Sequence, residues 1–163
     1  MNTRSNSTAL YNSMDSKNHL IGETIDWTPS SQVYLQANVN LVYATISTAY
    51  PRAGGTANDV VQNSDNNYSN GSLITGFVVD KATDAQLQFT WYHTNNFRPL
   101  VTSTLPLGSS VSEYTVTLGL KHKFTDRMIV HAKLGYFDSK NDSTGGKTSF
   151  HGPLAYLAFE HAL

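Results

Sequence analysis

The sequence contains no cysteine and few charged residues, and both shortages limit what the protein can be. Without cysteine there is no disulfide scaffold, no cysteine-ligated zinc and no thiol nucleophile. Charged residues make up 14% of the chain and hydrophobic residues 39%, so a modest apolar content lacks the charged surface usual in soluble domains. The formal net charge of -1 provides no basic field, so no nucleic-acid partner is expected.

Long apolar runs are also missing. No stretch approaches the roughly 20 residues of a transmembrane helix, and residues 1–18 are polar, unlike a secretory signal peptide. The chain is instead rich in Asn, Ser, Thr, Gly and Tyr. Neutral polar residues with scattered aromatics are typical of a sheet that has one face in lipid and one in water. Since such a protein must be exported, we expect a processed form or a piece of a longer chain.

The hydrophobic pattern has a period of two, which predicts strands rather than helices. In residues 114–124 an apolar set alternates with a polar set without a break. A strand of this length matches the roughly 9–11 residues that cross a bilayer at a tilt. Weaker or similar alternation predicts six more strands, at about residues 20–27, 33–43, 72–80, 85–94, 128–137 and 149–163.

The predicted connections are of two lengths. Short turns are expected at residues 28–31, 81–84 and 125–127, and long polar loops at about 47–70, 97–112 and 138–148. Short periplasmic turns at one rim and long extracellular loops at the other are typical of transmembrane barrels. The sequence therefore predicts an all-β fold, an antiparallel up-and-down transmembrane β-barrel in the cell outer membrane.

The predicted strands do not complete a barrel by themselves. Residues 1–18 are interpreted as a polar N-terminal segment or extracellular loop, and residues 19–163 as the membrane strands. Every backbone group in hydrocarbon must be paired, and bacterial barrels normally have an even number of strands from eight upwards. About seven strands are thus expected to belong to a larger barrel, completed by missing upstream strands or a homo-oligomer. The rival interpretation is an eight-stranded barrel whose first strand is residues 3–12.

The polar sides of the strands are predicted to line the lumen. The candidate lining residues are Gln36, Asn38, Asn40, Asp80, Gln86, Gln88, Lys121, Lys123, His131, Lys133 and Glu160. The three lysines fall on adjacent strands, so two interpretations stay open. They form a basic wall that favours anions, or they pair with carboxylates of the missing upstream strands and only brace the interior.

Aromatic residues cluster near the predicted strand ends. Rings with a polar atom favour the headgroup level of a membrane, which predicts interfacial girdles. The candidates are Trp27, Tyr43, Trp91, Tyr114, Phe124 and Tyr136. The alternative is ordinary cross-strand packing in a soluble sandwich.

No catalytic or metal motif stands out. The histidines lack the i, i+4 spacing of a helical zinc motif, and nothing singles out one of the many serines as a nucleophile. Asp59, Asp65, Asn66 and Asn67 do not follow the regular spacing of a calcium loop. We expect no enzyme activity, no metal and no cofactor.

The chain resembles known membrane barrels in two places. Residues 152–163 alternate up to the last residue, with Leu157, Phe159, His161 and Leu163 on one side. This resembles the C-terminal assembly signal of outer-membrane barrels, which implies recognition by periplasmic chaperones and the barrel-assembly machinery. It departs from the usual pattern in ending on Leu rather than Phe or Trp, and in having His161 at an apolar position.

More broadly, residues 19–163 resemble the C-terminal part of porin-like outer-membrane barrels of Gram-negative bacteria. The segments that carry this resemblance are residues 119–127 and 134–137, a strand–tight turn–strand hairpin with a Gly-aromatic exit. It implies a porin-like channel for passive diffusion of small solutes or ions through outer-membrane lipid. One alternative is a non-conducting barrel that scaffolds or sheathes a partner protein. Another is a soluble all-β carbohydrate-binding module.

Overall fold

The computed structural model describes residues 2–4, 13–48, 64–97, 108–144 and 148–161. All of the described strands belong to one sheet. In chain order they are β1 Asn2–Arg4, β2 Ser13–Trp27, β3 Val33–Thr48, β4 Ser64–Asp65, β5 Tyr68–Val78, β6 Thr83–Asn95, β7 Ser110–Thr125, β8 Met128–Asn141 and β9 Phe150–His161. A short 3-10 turn, Asp142–Thr144, follows β8.

Seven of these strands are long, and each is antiparallel to the next long strand along the chain. The short β1 pairs only with the start of β2, and β4 only with the end of β3. The prediction of seven up-and-down strands is confirmed. Among the described residues the sheet is open, because β9 pairs with β8 alone and residues 16–27 of β2 pair only with β3.

The lengths of the connections are sorted by rim, as the sequence predicts. Residues 28–32, 79–82 and 126–127 make the short turns at one end of the sheet, which we call the short-turn rim. Residues 49–67, 96–109 and 142–149 connect strands at the other end, the long-loop rim. In an up-and-down sheet successive connections alternate between the two ends, so all the short turns lie at one rim and all the long connections at the other.

Several strand boundaries differ from the sequence prediction. At the long-loop rim the strands extend into the expected loops: β3 ends at Thr48, β5 begins at Tyr68, β7 begins at Ser110 and β8 ends at Asn141. β2 begins at Ser13, so residues 13–18, expected in a loop, pair with β3 from Met14 opposite Thr48 to Asn18 opposite Ala44. Backbone pairing with the long β3 carries β2 beyond the region where its side chains alternate. Thr83 and Asp84 belong to β6 rather than to the turn before it. Of the proposed additional strand, residues 5–12 lie outside the described residues.

The sheet has almost no hydrophobic core. Val42 is the buried hydrophobic residue of the described chain, whereas many large hydrophobic side chains are exposed. The substantial contacts between elements join neighbours in the sheet, so the described residues form a single layer. Within the described ranges, no helix has the length and apolarity that a membrane span requires.

The most buried polar groups lie at the long-loop rim. The Asn96 side chain donates to the Asn67 carbonyl at 2.8 Å and accepts from the Asn67 N–H at 3.0 Å. Thr94 also donates to the Asn67 carbonyl, and the Asn67 side chain accepts from the Ala44 N–H. These bonds tie the ends of β3 and β6 to the segment before β5.

Candidate functional site

The strand register divides the side chains between two faces. Along one row across the sheet, Asn38 lies opposite Thr24 and Ser72, which in turn continues through Thr90 to Thr115. We call this side the polar face. The next row lies on the other side, the apolar face, and contains Ile25, Ala37, Leu73, Phe89, Val116, Tyr136 and Pro153.

Exposed hydrophobic residues are concentrated on the apolar face. Leu118, Leu134 and Phe159 are 61%, 65% and 68% exposed there, so the middle of the sheet is as open as its edges. The large hydrophobic side chains that are exposed on the polar face are only Leu20, Phe150, Leu154 and Tyr156, within the described residues. All four belong to the edge strands β2 and β9.

The polar face is the more crowded of the two. In the middle of β7, Thr115 and Thr117 are half-buried, whereas Val116 and Leu118 between and beside them are exposed. β5 has the same pattern, with Ile74 half-buried between exposed residues. Among the described residues no second layer covers either side, so the difference indicates that polar side chains converge on the concave side of a curved sheet.

The predicted lumen residues fall together on the polar face, with one exception. The ten that share it are Gln36, Asn38, Asn40, Gln86, Gln88, Lys121, Lys123, His131, Lys133 and Glu160. Asp80 lies instead in the turn between β5 and β6, where its Oδ1 accepts a hydrogen bond from the Ala82 N–H at 2.7 Å. That bond lowers the pKa of Asp80 below its ordinary value.

Amide side chains on β3 donate hydrogen bonds to groups on β2, β3 and β5, including the Thr24 hydroxyl and the Asp26 carboxylate. Asn40 donates to Asn38 at 2.9 Å and to Asn70 at 3.0 Å. Asn38 donates to Thr24 at 3.2 Å, and Gln36 to Asp26 at 2.9 Å. The network bonds its own members, so it fixes side-chain orientations and stabilises the polar face.

Tyr34 spans the polar face from β3 to β6. Its hydroxyl donates to Asp84 Oδ1 at 3.1 Å and accepts from the Gln86 side chain. The ring passes over Gly76 on the intervening strand, where a Cβ would collide with it. The sequence analysis missed Tyr34 because a tyrosine in a strand is usually counted with the apolar residues. Tyr34 is two residues from Gln36, which places both on the same face. Asp84 was missed because that residue was assigned to a turn.

The charged groups of the polar face are mixed in sign toward the short-turn rim. Lys121 lies between Asp84 and His131 in the register, and neither Lys121 nor Lys133 makes an ion pair with another described residue. Lys123 pairs with Asp126 in the adjacent turn, with Nζ to Oδ1 at 2.8 Å. The three lysines therefore share this part of the polar face with carboxylates: Asp84 lies opposite Lys121, and Asp126 pairs with Lys123.

Glu160 adds a second carboxylate to this region. Its Oε1 lies 3.1 Å from His131 Nε2, yet that nitrogen has no partner in hydrogen-bonding geometry. The contact brings β8 and β9 together at the end of the polar face.

The predicted girdle aromatics share the apolar face and lie at similar distances from the strand ends. Four of them stand four or five positions inside the long-loop ends of β3, β6, β7 and β8: Tyr43, Trp91, Tyr114 and Tyr136. Trp27 is the last residue of β2, and Phe124 is the last but one of β7. Trp91 pairs with Tyr114 across the strands, and Phe89 stacks on both rings. The aromatics thus form two bands.

The last strand is apolar on both sides. Leu157, Phe159 and His161 lie on its apolar face, and Leu163 lies outside the described residues. Phe150, Leu154 and Tyr156 lie on its polar face and are exposed. β9 therefore differs from the central strands, which alternate.

Catalytic and metal-binding groups are not assembled in the part of the chain that the structure describes. His93 Nδ1 lies 2.9 Å from Ser112 Oγ on the apolar face, but no described carboxylate bonds to His93 to orient the ring. Nowhere in the described ranges do three His, Asp or Glu side chains come together as a metal site needs. Of the acidic group considered from the sequence, Asp59 lies outside the described residues.

Comparisons with protein-family models, curated proteins and solved structures found no match.

Proposed function

We propose that the chain forms part of an outer-membrane β-barrel that acts as a porin-like channel for passive diffusion of small solutes. The observation that carries the proposal is a single-layer sheet whose exposed hydrophobic side chains lie almost entirely on one face. Apolar area in water costs roughly 25 cal/mol per Å². With Val42 as the buried hydrophobic residue of the described chain, something apolar must cover that face, and lipid fits it.

The spacing of the aromatic bands supports a membrane of ordinary thickness. Tyr114 and Phe124 mark the two bands on β7. Ten residues of strand rise about 33 Å, and a tilt of about 40° reduces this to roughly 25 Å, the height of the apolar band of such barrels. The residues between them on the apolar face are Val116, Leu118, Leu120 and His122, with His122 next to the short-turn rim.

The polar face provides the lumen in this proposal. Its amides, hydroxyls and mixed charges keep water in the pore, and solutes pass by size and electrostatic bias without chemistry. The long-loop rim faces the outside and the short-turn rim the periplasm. Export of the chain requires periplasmic chaperones and the barrel-assembly machinery, for which β9 is the expected recognition strand.

One observation favours a second candidate, a barrel that sheathes a partner protein. Phe150, Leu154 and Tyr156 are exposed on the polar face of β9, and Phe137 lies beside them with its ring 5.2 Å from that of Phe150. An apolar strip inside a water-filled lumen is unfavourable unless another apolar surface covers it. A protein inside the barrel supplies such a surface.

Conductance separates the two candidates. The full chain is inserted into a planar lipid bilayer, and the current is recorded in KCl. Ohmic steps support the channel, and stable insertion without current supports the sheath. A freely water-soluble monomer that stays folded without any detergent or lipid contradicts both, because its apolar face would then be covered by protein.

A further inference from the structure

Five uncharged polar side chains at the centre of the polar face have no side-chain hydrogen bond to any part of the chain that the structure describes. Ser72, Thr90 and Thr115 follow one another in a row across β5, β6 and β7, and Gln88 lies opposite Thr117 in the next row. We call these five the hydroxyl patch. Each is half-buried, and none makes a side-chain hydrogen bond to another described residue, unlike the amides of β3.

The surroundings of the hydroxyl patch are neutral and partly aromatic. Phe137 lies directly opposite Thr115, and Tyr92 lies two residues from Thr90 on the same face. The flanking charges are Glu113, which already accepts a hydrogen bond from Ser139, and Lys133 beyond Thr117. The patch itself contains no fixed charge, so it has nothing to hold an inorganic ion.

We propose that the hydroxyl patch binds neutral saccharides and makes the channel a pore for them, an inference that rests on the proposed function. Hydroxyl and amide groups both donate and accept hydrogen bonds, as sugar hydroxyls do, so water on both surfaces is exchanged for direct bonds. The Phe137 ring provides an apolar plane for the C–H face of a sugar ring.

The binding has to be weak. A solute that passes through a pore must bind well enough to enter and loosely enough to leave. Five neutral side chains on one wall fit a dissociation constant on the order of 1 mM. The two rows of the patch continue on β3 into Asn38 and Gln36. The next row toward the long-loop rim carries Asn40, Asn70 and Glu113, and the next toward the short-turn rim carries Gln86 and Lys133, which places the patch at the middle of the lumen.

Binding is measured without relying on conduction. The full chain is folded in detergent micelles, and saturation-transfer NMR follows trehalose, a neutral disaccharide. The test variant is Thr115→Val with Thr117→Val, which removes two hydroxyls at constant shape. The control is Thr75→Val, the same change on the apolar face of β5. We expect the trehalose signal to persist in the wild type and the control and to fall about fivefold or more in the double variant.

Each outcome decides one of the proposals. Absence of transfer to trehalose in a wild type shown to be folded by circular dichroism overturns the saccharide site, as does equal transfer in all three proteins. Phe137→Leu is a second test, because it keeps apolar volume but removes the ring and is expected to weaken transfer as well. KCl conductance of the same proteins in a bilayer then tests the channel: current without trehalose binding leaves the channel standing alone, and binding without current leaves only the saccharide site.

Discussion

The Tyr34 side chain reaches β6 only because the strand between has no side chain at Gly76. Gly76→Ala is expected to displace the ring and break its bonds to Asp84 and Gln86, lowering the free energy of unfolding by about 1–3 kcal/mol. Urea unfolding in lipid vesicles measures it. Gly152→Ala is the matched control, a strand glycine on the same face with no atom within 4 Å of an added Cβ. It should change stability by about 0.5 kcal/mol or less.

Equal effects of the two substitutions would contradict the role given to Tyr34, because the cost would then come from the backbone alone. Tyr34→Leu provides a second check. In that background the Gly76→Ala substitution should cost less than in the wild type, since the ring that it displaces is already gone.

Asp80, in a turn at the short-turn rim, is expected to make the free energy of unfolding depend on pH. The hydrogen bond from the Ala82 N–H, with help from Thr83 and the charge of His122, lowers the pKa of Asp80 in the folded protein. A carboxyl group with a lowered folded pKa adds stability that is complete above its unfolded pKa, near 4, and is lost as the pH falls through the folded pKa. We expect the free energy of unfolding to fall more steeply below about pH 4 in the wild type than in Asp80→Asn. Parallel curves would show that the Asp80 charge is not bonded in the turn.

At the scale of a whole strand, neighbouring residues of β7 are expected to differ in how well they tolerate a charged side chain. Leu118 lies on the apolar face, midway between the aromatic bands, and Thr117 lies on the polar face. If the proposed barrel is correct, Leu118 lies near the bilayer midplane, and Leu118→Arg is expected to cost roughly 2–4 kcal/mol of folding free energy in vesicles. Thr117→Arg is the control on the same strand and should be much milder. A larger loss for Thr117→Arg would mean that the two faces are assigned to the wrong sides.

The sequence predicts the strands best where alternation is strict. β7 includes all of residues 114–124, where the alternation is unbroken, although it begins earlier, at Ser110. The alternation also places Lys121 and Lys123 on the polar face. β2 begins seven residues earlier than predicted, at Ser13, because backbone pairing with β3 does not depend on side-chain pattern. Alternation along a strand assigns a residue to one face of the sheet but does not identify its neighbours on the adjacent strands.

The remaining features depend on contacts between distant residues. Nothing local in the chain shows that Asn67 and Asn96 bond to each other at the long-loop rim. The bond from Tyr34 to Asp84 depends on the register of three strands and on a glycine between them. Likewise, alternation places Lys121 on the polar face, but only the register shows that Asp84 of β6 lies opposite it. The register between strands, and the side-chain contacts that depend on it, could not be predicted from the sequence alone.

At the scale of the whole molecule, the two edges of the sheet set the conditions for a barrel. β2 and β9 both run from the long-loop rim to the short-turn rim, because an odd number of long strands separates their starts. Direct pairing of β2 with β9 would be parallel, unlike every other pair in the sheet. An antiparallel barrel therefore needs an odd number of further strands between these edges. If the sheet lies in lipid, as proposed, each unpaired backbone group costs several kcal/mol and both edges must be paired.

The tryptophans report on the whole assembly because each lies in a different aromatic band. Trp27 ends β2 at the short-turn rim, and Trp91 lies near the long-loop end of β6, both on the apolar face. If lipid covers this face, each ring lies near a headgroup layer and away from the bilayer centre. In the single-tryptophan variants Trp27→Phe and Trp91→Phe, fluorescence should be quenched more by lipids brominated close to the headgroup than by lipids brominated near the chain ends. Stronger quenching by the lipids brominated near the chain ends would contradict the assignment of the two aromatic bands to the headgroup layers. The absence of quenching by either lipid would mean that protein, not lipid, covers the apolar face.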